Sequence, residues 1–171
     1  MASAAEHRLF WGTAAAVVVS DFATKLLAEA LLARRLPLSV IGEWVQLRLV
    51  YNRGAAFGLD LGEYSRWIFF GLAILALIVL GSMVRSTRPG DRFRLLALAL
   101  VCGGAAGNLV DRIRSARGVV DFVDIGVGDW RWPTFNVADS AITVGAIALA
   151  LTLWQEGRAQ QRTKEAQAAE P

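Results

Sequence analysis

Four long apolar segments constrain the fold of this 171-residue chain more than any other feature. They lie at about residues 9–32, 67–84, 95–110 and 138–154. A helix needs roughly 20 predominantly apolar residues to cross a bilayer. The charged residues, which make up 19% of the chain, cluster at its two ends and in the connectors between these segments. The sequence therefore predicts an all-α membrane protein, a single domain over residues 1–171 with four transmembrane helices.

The first apolar segment could be mistaken for a cleavable signal peptide. It follows a short basic stretch, His7-Arg8, as the apolar part of a signal peptide does. The apolar part is too long for a signal peptide, however, and it contains Asp21 and Lys25. We therefore interpret it as an uncleaved membrane helix.

The basic residues indicate how the four helices are oriented. With four spans, Arg8, the connector 85–94 and the tail 158–171 lie on one side of the membrane. Cytoplasmic connectors are typically rich in Lys and Arg, so we expect both termini, including the tail, in the cytoplasm. No function is assigned to the tail. The bias is imperfect, because arginines also fall on the opposite side, among them Arg34, Arg35, Arg48, Arg53, Arg112, Arg114 and Arg117.

The two longer connectors are then expected on the outer side. In the first, apolar and polar residues alternate over residues 44–52 ("WVQLRLVYN"), a pattern typical of a half-buried strand. An open sheet edge cannot enter the hydrocarbon, so we expect a small extracytoplasmic β-sheet on the membrane surface. In the second, Trp130, Trp132 and Phe135 favour the membrane interface.

The composition also limits the chemistry that is possible. His7 is the only histidine and Cys102 the only cysteine, so we expect no intramolecular disulfide, no His- or Cys-based metal site and no Ser-His pair. No cofactor is indicated. The net charge is +3, but Lys and Arg flank the apolar segments, so membrane lipid and not nucleic acid is their expected partner.

Two groups of polar residues lie within or at the end of an apolar segment. Asp21 and Lys25 are four residues apart and can pair on one helix face. They form either a structural ion pair or a pair that tunes a nearby site. Asn108, Asp111 and Arg112 end the third segment. Asp111 and Arg112 are adjacent and point in different directions, and the arginine either holds a carbonyl or a lipid phosphate or snorkels to the interface.

Four aspartates lie between residues 118 and 140. Asp121 has apolar neighbours in "VVDFV", which favours a partly buried carboxylate. Asp139 starts the fourth segment, where it could simply cap the helix. Asp124 and Asp129 have glycine-rich neighbours and are expected in solvated loops. Two carboxylates in a partly dry site share a proton and can activate water, which is aspartic-protease chemistry and requires neither a metal nor a histidine.

Five short motifs, in order and interleaved with the apolar segments, resemble those of the bacterial lipoprotein signal peptidase family, also called signal peptidase II. They are "DFATK", "NRGAAFG", "GNLVDR", "GVVDFVD" and "FNVADS", and the resemblance extends over about residues 9–157. It implies an aspartic endopeptidase of the bacterial inner membrane that cuts diacylglyceryl-modified prolipoproteins before the lipidated cysteine. It also implies inhibition by globomycin and myxovirescin, an active site near the outer face, and a short interfacial helix in the last connector.

The motifs imply roles for individual residues as well. Asp121 and Asp139 would be the catalytic dyad. The other motif positions would shape the site or hold the substrate: Asp21, Lys25, Asn52, Gly54, Asn108, Asp111, Arg112 and Asn136. Asp111 could be mistaken for half of the dyad, but its neighbour Arg112 favours an ionised, structural role. We further hypothesise that the loop 52–58 and the connector 122–135 close over the substrate.

Two other classes of protein are compatible with parts of the sequence. A small carrier or proton-coupled channel subunit would use Asp21, Lys25 and the outer aspartates as a relay. Such a relay should place carboxylates along the whole membrane depth, yet the second and third apolar segments contain none. A purely structural scaffold would leave the clustering of the aspartates unexplained.

Overall fold

The computed structural model describes residues 3–54 and 62–168. These residues form the helices α1 (Ala4–Leu32), α2 (Ser65–Ser86), α3 (Arg92–Arg114) and α4 (Val137–Ala168). They also form the strands β1 (Leu38–Ile41), β2 (Val45–Asn52), β3 (Val119–Val127) and β4 (Trp130–Arg131), and a 3-10 helix at Gly62–Tyr64. Each of the four predicted apolar segments lies within one helix. The predicted tail begins as part of α4, which continues to Ala168.

Within the described parts of the chain, three helical stretches are long and apolar enough to cross a membrane: Gly62–Ser86, Arg92–Arg114 and Val137–Arg162. The chain is therefore a mostly helical membrane protein with a small antiparallel sheet. Helix α1 has 29 residues, about 43 Å at 1.5 Å per residue, but it also carries several charged residues along its length. A fourth span formed by α1 therefore remains a prediction.

Contacts at the helix ends show that the four helices run alternately up and down. Glu6, in the first turn of α1, accepts a hydrogen bond from the backbone N–H of Gly90, between α2 and α3, at 2.6 Å. Arg94 at the start of α3 holds Glu156 of α4 through two contacts of 2.9 and 3.0 Å. The beginning of α1, the connector 87–91 and the part of α4 around Glu156 therefore share one end of the bundle, and the sheet lies at the other.

Glycines on α3 allow the helix backbones to pack closely. A Cβ added at Gly103 would lie 2.9 Å from the backbone oxygen of Ala14 on α1. One added at Gly104 would lie 2.7 Å from Ile142 on α4. Small residues are what permits such approach between membrane helices, so α3 forms the centre of the bundle.

The sheet has the order β1-β2-β3-β4, with antiparallel neighbours. Its inner side packs on the end of α1, where Phe122 of β3 contacts the cluster around Ala28 and Leu32. The pairing of β2 with β3 shifts between Leu47 and Val50, which leaves two residues opposite one. This is a β-bulge, and it interrupts the regular alternation that the sequence predicts for β2.

The last connector differs from the expectation drawn from the family resemblance. Residues 115–136, all of them described, contain β3 and β4 but no helix, so the predicted short interfacial helix is wrong for this stretch. The physical reason is composition, because residues 119–127 ("VVDFVDIGV") are rich in β-branched side chains that favour a strand. Of the loop predicted to close over the substrate, residues 55–58 lie outside the described chain.

Candidate active site

A cleft of about 910 Å³ opens between the sheet and the ends of α3 and α4. Both predicted catalytic residues, Asp121 from β3 and Asp139 from α4, line it. Four of the other predicted site residues line it too: Asn52, Gly54, Asn108 and Arg112. Residues more than 80 positions apart in the chain therefore meet in a single concave site.

Asp121 is almost fully buried at the floor of the cleft, with a residue exposure of 2%. Its Oδ1 accepts a hydrogen bond from Asn136 Nδ2 at 2.7 Å, and its Oδ2 accepts one from Asn52 Nδ2 at 3.1 Å. Burial, followed by the negative charge of Asp139, raises the pKa of Asp121 to about 7, although both amide hydrogen bonds act in the opposite direction. Asp121 can therefore hold a proton near neutral pH.

Asp139 lies in the first turn of α4 but does not cap the helix, as one interpretation of the sequence suggested. Asn136 occupies the capping position, and its Oδ1 accepts a hydrogen bond from the backbone N–H of Asp139 at 2.8 Å. Asp139 Oδ2 in turn accepts one from the backbone N–H of Asn136 at 3.2 Å. This reciprocal pair is a capping box, and it fixes the carboxyl group of Asp139 relative to Asn136.

Asn136 thus touches both aspartates. Its Nδ2 group also lies 3.1 Å from Asn108 Oδ1 and 3.2 Å from the backbone oxygen of Val120. Because its oxygen serves as the helix cap, its amide hydrogens must point towards Asp121. One buried side chain therefore sets the relative position of the two carboxyl groups.

Asn108 connects the site to the charged residues of α1. Its Oδ1 accepts a hydrogen bond from Lys25 Nζ at 2.9 Å, and its Nδ2 donates to Asp139 Oδ1 at 2.8 Å. Lysine can only donate, so the Lys25 contact determines which end of the Asn108 amide faces Asp139. The orientation of a hydrogen bond to Asp139 therefore depends on a lysine in another helix.

Asp21 and Lys25 form the predicted ion pair, at 2.7 Å and with fully buried side chains. Lys25 also contacts Asp111 Oδ2 at 2.9 Å, so its three ammonium hydrogens have three acceptors. The other oxygen of Asp21 accepts a hydrogen bond from the backbone N–H of Ala138 at 2.9 Å. The pair is structural, and it also holds the beginning of α4 directly beside the cleft.

Asp111 and Arg112 diverge, as their adjacency in the helix predicts. Asp111 is buried and pairs with Lys25 and, at 2.7 Å, with Arg114 Nε; it also accepts the backbone N–H of Val120. Arg112 reaches the cleft, where it donates to the backbone oxygens of Asn108 and Gly54 at 3.1 and 3.2 Å. Its buried Nε has no hydrogen-bond partner among the described residues.

Asp124 contradicts the prediction of a solvated loop residue, whereas Asp129 is exposed between β3 and β4 as expected. The side chain of Asp124 is 1% exposed and pairs with Arg48 at 3.0 Å and Arg131 at 2.8 Å. No motif in the sequence indicates a role for these two arginines. The glycines near Asp124 suggested a loop, but Gly126 is part of β3 and pairs with Arg131 of β4. Alternate side chains of a strand lie on the same face. A strand assignment for this stretch would therefore have placed Asp124 on the inward face, together with Phe122.

Over residues 3–54 and 62–168 no group of three or more His, Cys, Asp or Glu side chains could hold a metal ion. The residues that line the cleft supply two carboxyl groups, the amides of Asn52 and Asn108, and three guanidinium groups, those of Arg48, Arg53 and Arg112.

The chain matches a family model, several sequence relatives and a solved structure. The family model described as signal peptidase (SPase) II matches residues 13–155. A lipoprotein signal peptidase of Methylobacterium sp. (strain 4-46) is 44% identical over 151 residues, which cover 85% of this chain and 89% of that protein. One of Nitratidesulfovibrio vulgaris (strain DP4) is 38% identical over 164 residues, which cover 94% and 98%. A solved bacterial membrane enzyme superposes with a TM-score of 0.75 at 31% identity, covering 85% of this chain and 87% of its own.

Proposed function

This chain belongs to the signal peptidase II family, and we propose that it is an aspartic endopeptidase acting on diacylglyceryl-modified prolipoproteins. Family membership itself supports the removal of signal peptides from prolipoproteins. The aspartic mechanism and the cut just before the lipidated cysteine are the added proposals. The observation that carries them is the pair of carboxyl groups, Asp121 and Asp139, that line one cleft and are both bonded to Asn136.

The two carboxyl groups have environments that suit different tasks. Asp121 is the more deeply buried, and its raised pKa of about 7 favours the protonated form. Asp139 is half-buried, accepts two hydrogen bonds and lies at a helix N-terminus, where a negative charge is favoured. We assign Asp139 as the base that activates water and Asp121 as the acid.

In the proposed reaction, the oxygen of a water molecule bonds to the carbonyl carbon of the scissile peptide while Asp139 accepts one proton from that water. The proton of Asp121 passes to the carbonyl oxygen, giving a neutral tetrahedral diol. Cleavage of the C–N bond follows: the proton held by Asp139 passes to the departing amine, and one diol hydroxyl returns its proton to Asp121. Both aspartates then have their starting protonation states.

The remaining cleft residues are proposed to hold the substrate backbone. Arg112 lines the cleft, and its buried Nε has no partner among the described residues, so a peptide carbonyl would satisfy it. Asn52 Oδ1 accepts a hydrogen bond from the backbone N–H of Gly54 at 3.0 Å, so the amide hydrogens of Asn52 face Asp121. We therefore propose that these cleft residues bind the backbone groups of the substrate and not its side chains.

The proposed location is the bacterial inner membrane, with four spans, cytoplasmic termini and the cleft near the outer face. This arrangement is supported by the many exposed apolar side chains on α2 and by the sheet at the end opposite the termini. A cleft at the interface would let the diacylglyceryl chains remain in lipid while the peptide bond meets water. Globomycin and myxovirescin would then compete for the same cleft.

Cleavage of a diacylglyceryl-modified prolipoprotein by the purified protein, with and without globomycin, tests the proposal. Asp121→Asn and Asp139→Asn should each abolish cleavage, while the exposed Asp129→Asn should retain wild-type activity. Each variant must still be recovered from the membrane as a monodisperse sample. Normal turnover by either dyad variant would refute the aspartic mechanism, and proton or ion flux in liposomes without any cleavage would favour a carrier.

A further inference from the structure

Asp124 is a buried carboxylate that the proposed reaction does not use. Its side chain is 1% exposed and lies within the sheet, where an isolated charge would cost several kcal/mol. Asp124 is not among the residues that line the cleft, so it cannot touch a substrate there. A buried charge that lies next to a catalytic cleft, yet outside it, requires another explanation.

The two partners of Asp124 come from opposite sides. Oδ1 accepts Arg131 Nε from β4 at 2.8 Å, and Oδ2 accepts Arg48 Nε from β2 at 3.0 Å. Arg48 lies at the β-bulge of β2, and it also donates through Nε and Nη2 to the hydroxyl oxygen of Thr134, at 3.2 and 3.0 Å. Asp124 therefore orients Arg48, which in turn holds Thr134.

Arg131 and Thr134 both belong to the segment that leads into α4. The same segment is attached to β3 through its backbone, since Phe135 and Val123 exchange hydrogen bonds of 2.8 and 3.0 Å. The next residue is Asn136, which bonds to both aspartates of the cleft. The carboxylate of Asp124 thus fixes, through two arginines, the stretch of chain that ends at Asn136.

We propose that Asp124 is a positioning residue that, through Arg48 and Arg131, holds Asn136 and hence the two carboxyl groups of the cleft in their working geometry. This inference rests on the proposed function. Asp124→Asn would replace one acceptor oxygen with an N–H group facing an arginine, so one of the two arginines would lose its carboxylate acceptor. The segment 131–136 would then keep its backbone hydrogen bonds to β3 but lose part of its side-chain anchoring. Displacements of about 1 Å at catalytic groups can cost about 100-fold in rate.

The test is a steady-state comparison of wild type, Asp124→Asn and Asp129→Asn with a diacylglyceryl-modified prolipoprotein. For Asp124→Asn we expect kcat to fall at least about tenfold while KM stays within about twofold, because the residue does not contact the substrate. Asp129→Asn, an exposed change of the same chemistry in the same hairpin, should match the wild type. An Asp124→Asn protein with wild-type kcat would overturn the proposal.

Thr134 gives a second variant that introduces no unpaired buried charge. Thr134→Val removes the acceptor of Arg48 at constant shape and should lower kcat, whereas Thr134→Ser keeps the hydroxyl and should restore it. If Asp124→Asn does not melt cooperatively as a monodisperse sample, this pair decides, and equal kcat for the Val and Ser variants would overturn the proposal. A wild-type protein that fails to cleave at all would instead refute the proposed function.

Discussion

Replacing Asp121 with Asn is expected to remove a pH-dependent loss of folding stability. Burial and the charge of Asp139 raise the pKa of Asp121 from 3.8 to about 7 in the folded protein, whereas in the unfolded chain the carboxyl returns to its ordinary value. Between these two values the folded protein binds the additional proton. The free energy of unfolding therefore decreases as pH rises through this window and levels off above about pH 7.

The magnitude follows from the two pKa values. A difference of about three pH units, at about 1.4 kcal/mol each, corresponds to about 4 kcal/mol over the whole window. Roughly half of this, about 2 kcal/mol, is lost between about pH 5 and pH 7, where a membrane protein can be handled in detergent. The variant Asp121→Asn cannot ionise at this position, so its stability should not include this decrease.

The assay is equilibrium unfolding of the purified proteins in mixed micelles between about pH 5 and pH 8. The stability of Asp121→Asn relative to wild type should increase by about 2 kcal/mol from the acidic to the neutral end of this range. Asp129→Asn alters an exposed carboxyl and should follow the wild type at every pH. Parallel curves for wild type and Asp121→Asn would refute the reasoning, since they would mean that the carboxyl titrates alike in both states.

Four further outcomes follow from the site and the helix contacts. The value of kcat/KM should fall as pH rises through about 7, because Asp121 then loses the proton that the reaction requires; a flat profile would contradict its assignment as the acid. Lys25→Met should destabilise the protein by about 3–5 kcal/mol, measured by unfolding in detergent, because it leaves the buried carboxylate of Asp21 without its cation and Asp111 with Arg114 alone. Asn108→Leu should lower kcat by about 100-fold with the protein still folded, because Asp139 loses an oriented donor. Gly103→Ala should cost about 1–3 kcal/mol through overpacking against α1, whereas Gly81→Ala, where the added carbon would meet nothing within 4 Å, should be neutral or slightly stabilising.

The apolar segments suffice to predict the helices, because they are visible locally, whereas the residues of the site are expected from the resemblance to the family motifs. A long apolar segment specifies a helix at membrane depth wherever it lies in the chain. A polar residue at the end of such a segment is costly unless it has a partner or a task. The resemblance to the family motifs adds Asn52, Asn108 and Asn136 as expected site residues, and each donates a hydrogen bond to one of the aspartates.

What the sequence does not reveal depends on pairing between distant segments. Asp124 is buried because β3 pairs with β2, some 75 residues earlier in the chain. The register of this pairing cannot be predicted from the local sequence of either strand. The bulge at residues 48–49 has the same origin, and it changes which side chains of β2 face the cleft. The position of Asp139 in the first turn is also set from outside, since Asn136 can cap α4 only where the preceding segment has been anchored on β3.

The pairing of Asp21 with Lys25 within a single helix has a consequence for the order of membrane insertion. With α1 as a span, it leaves the ribosome before α3, which carries Asn108 and Asp111. Because the two charged groups are four residues apart and 2.7 Å from each other, each neutralises the other when the helix enters the bilayer. Asp111 and Asn108 arrive with α3 and complete the coordination of Lys25 afterwards. Asp21 and Lys25, which contact the residues of the cleft, thus also allow α1, as a span, to enter the bilayer before α3.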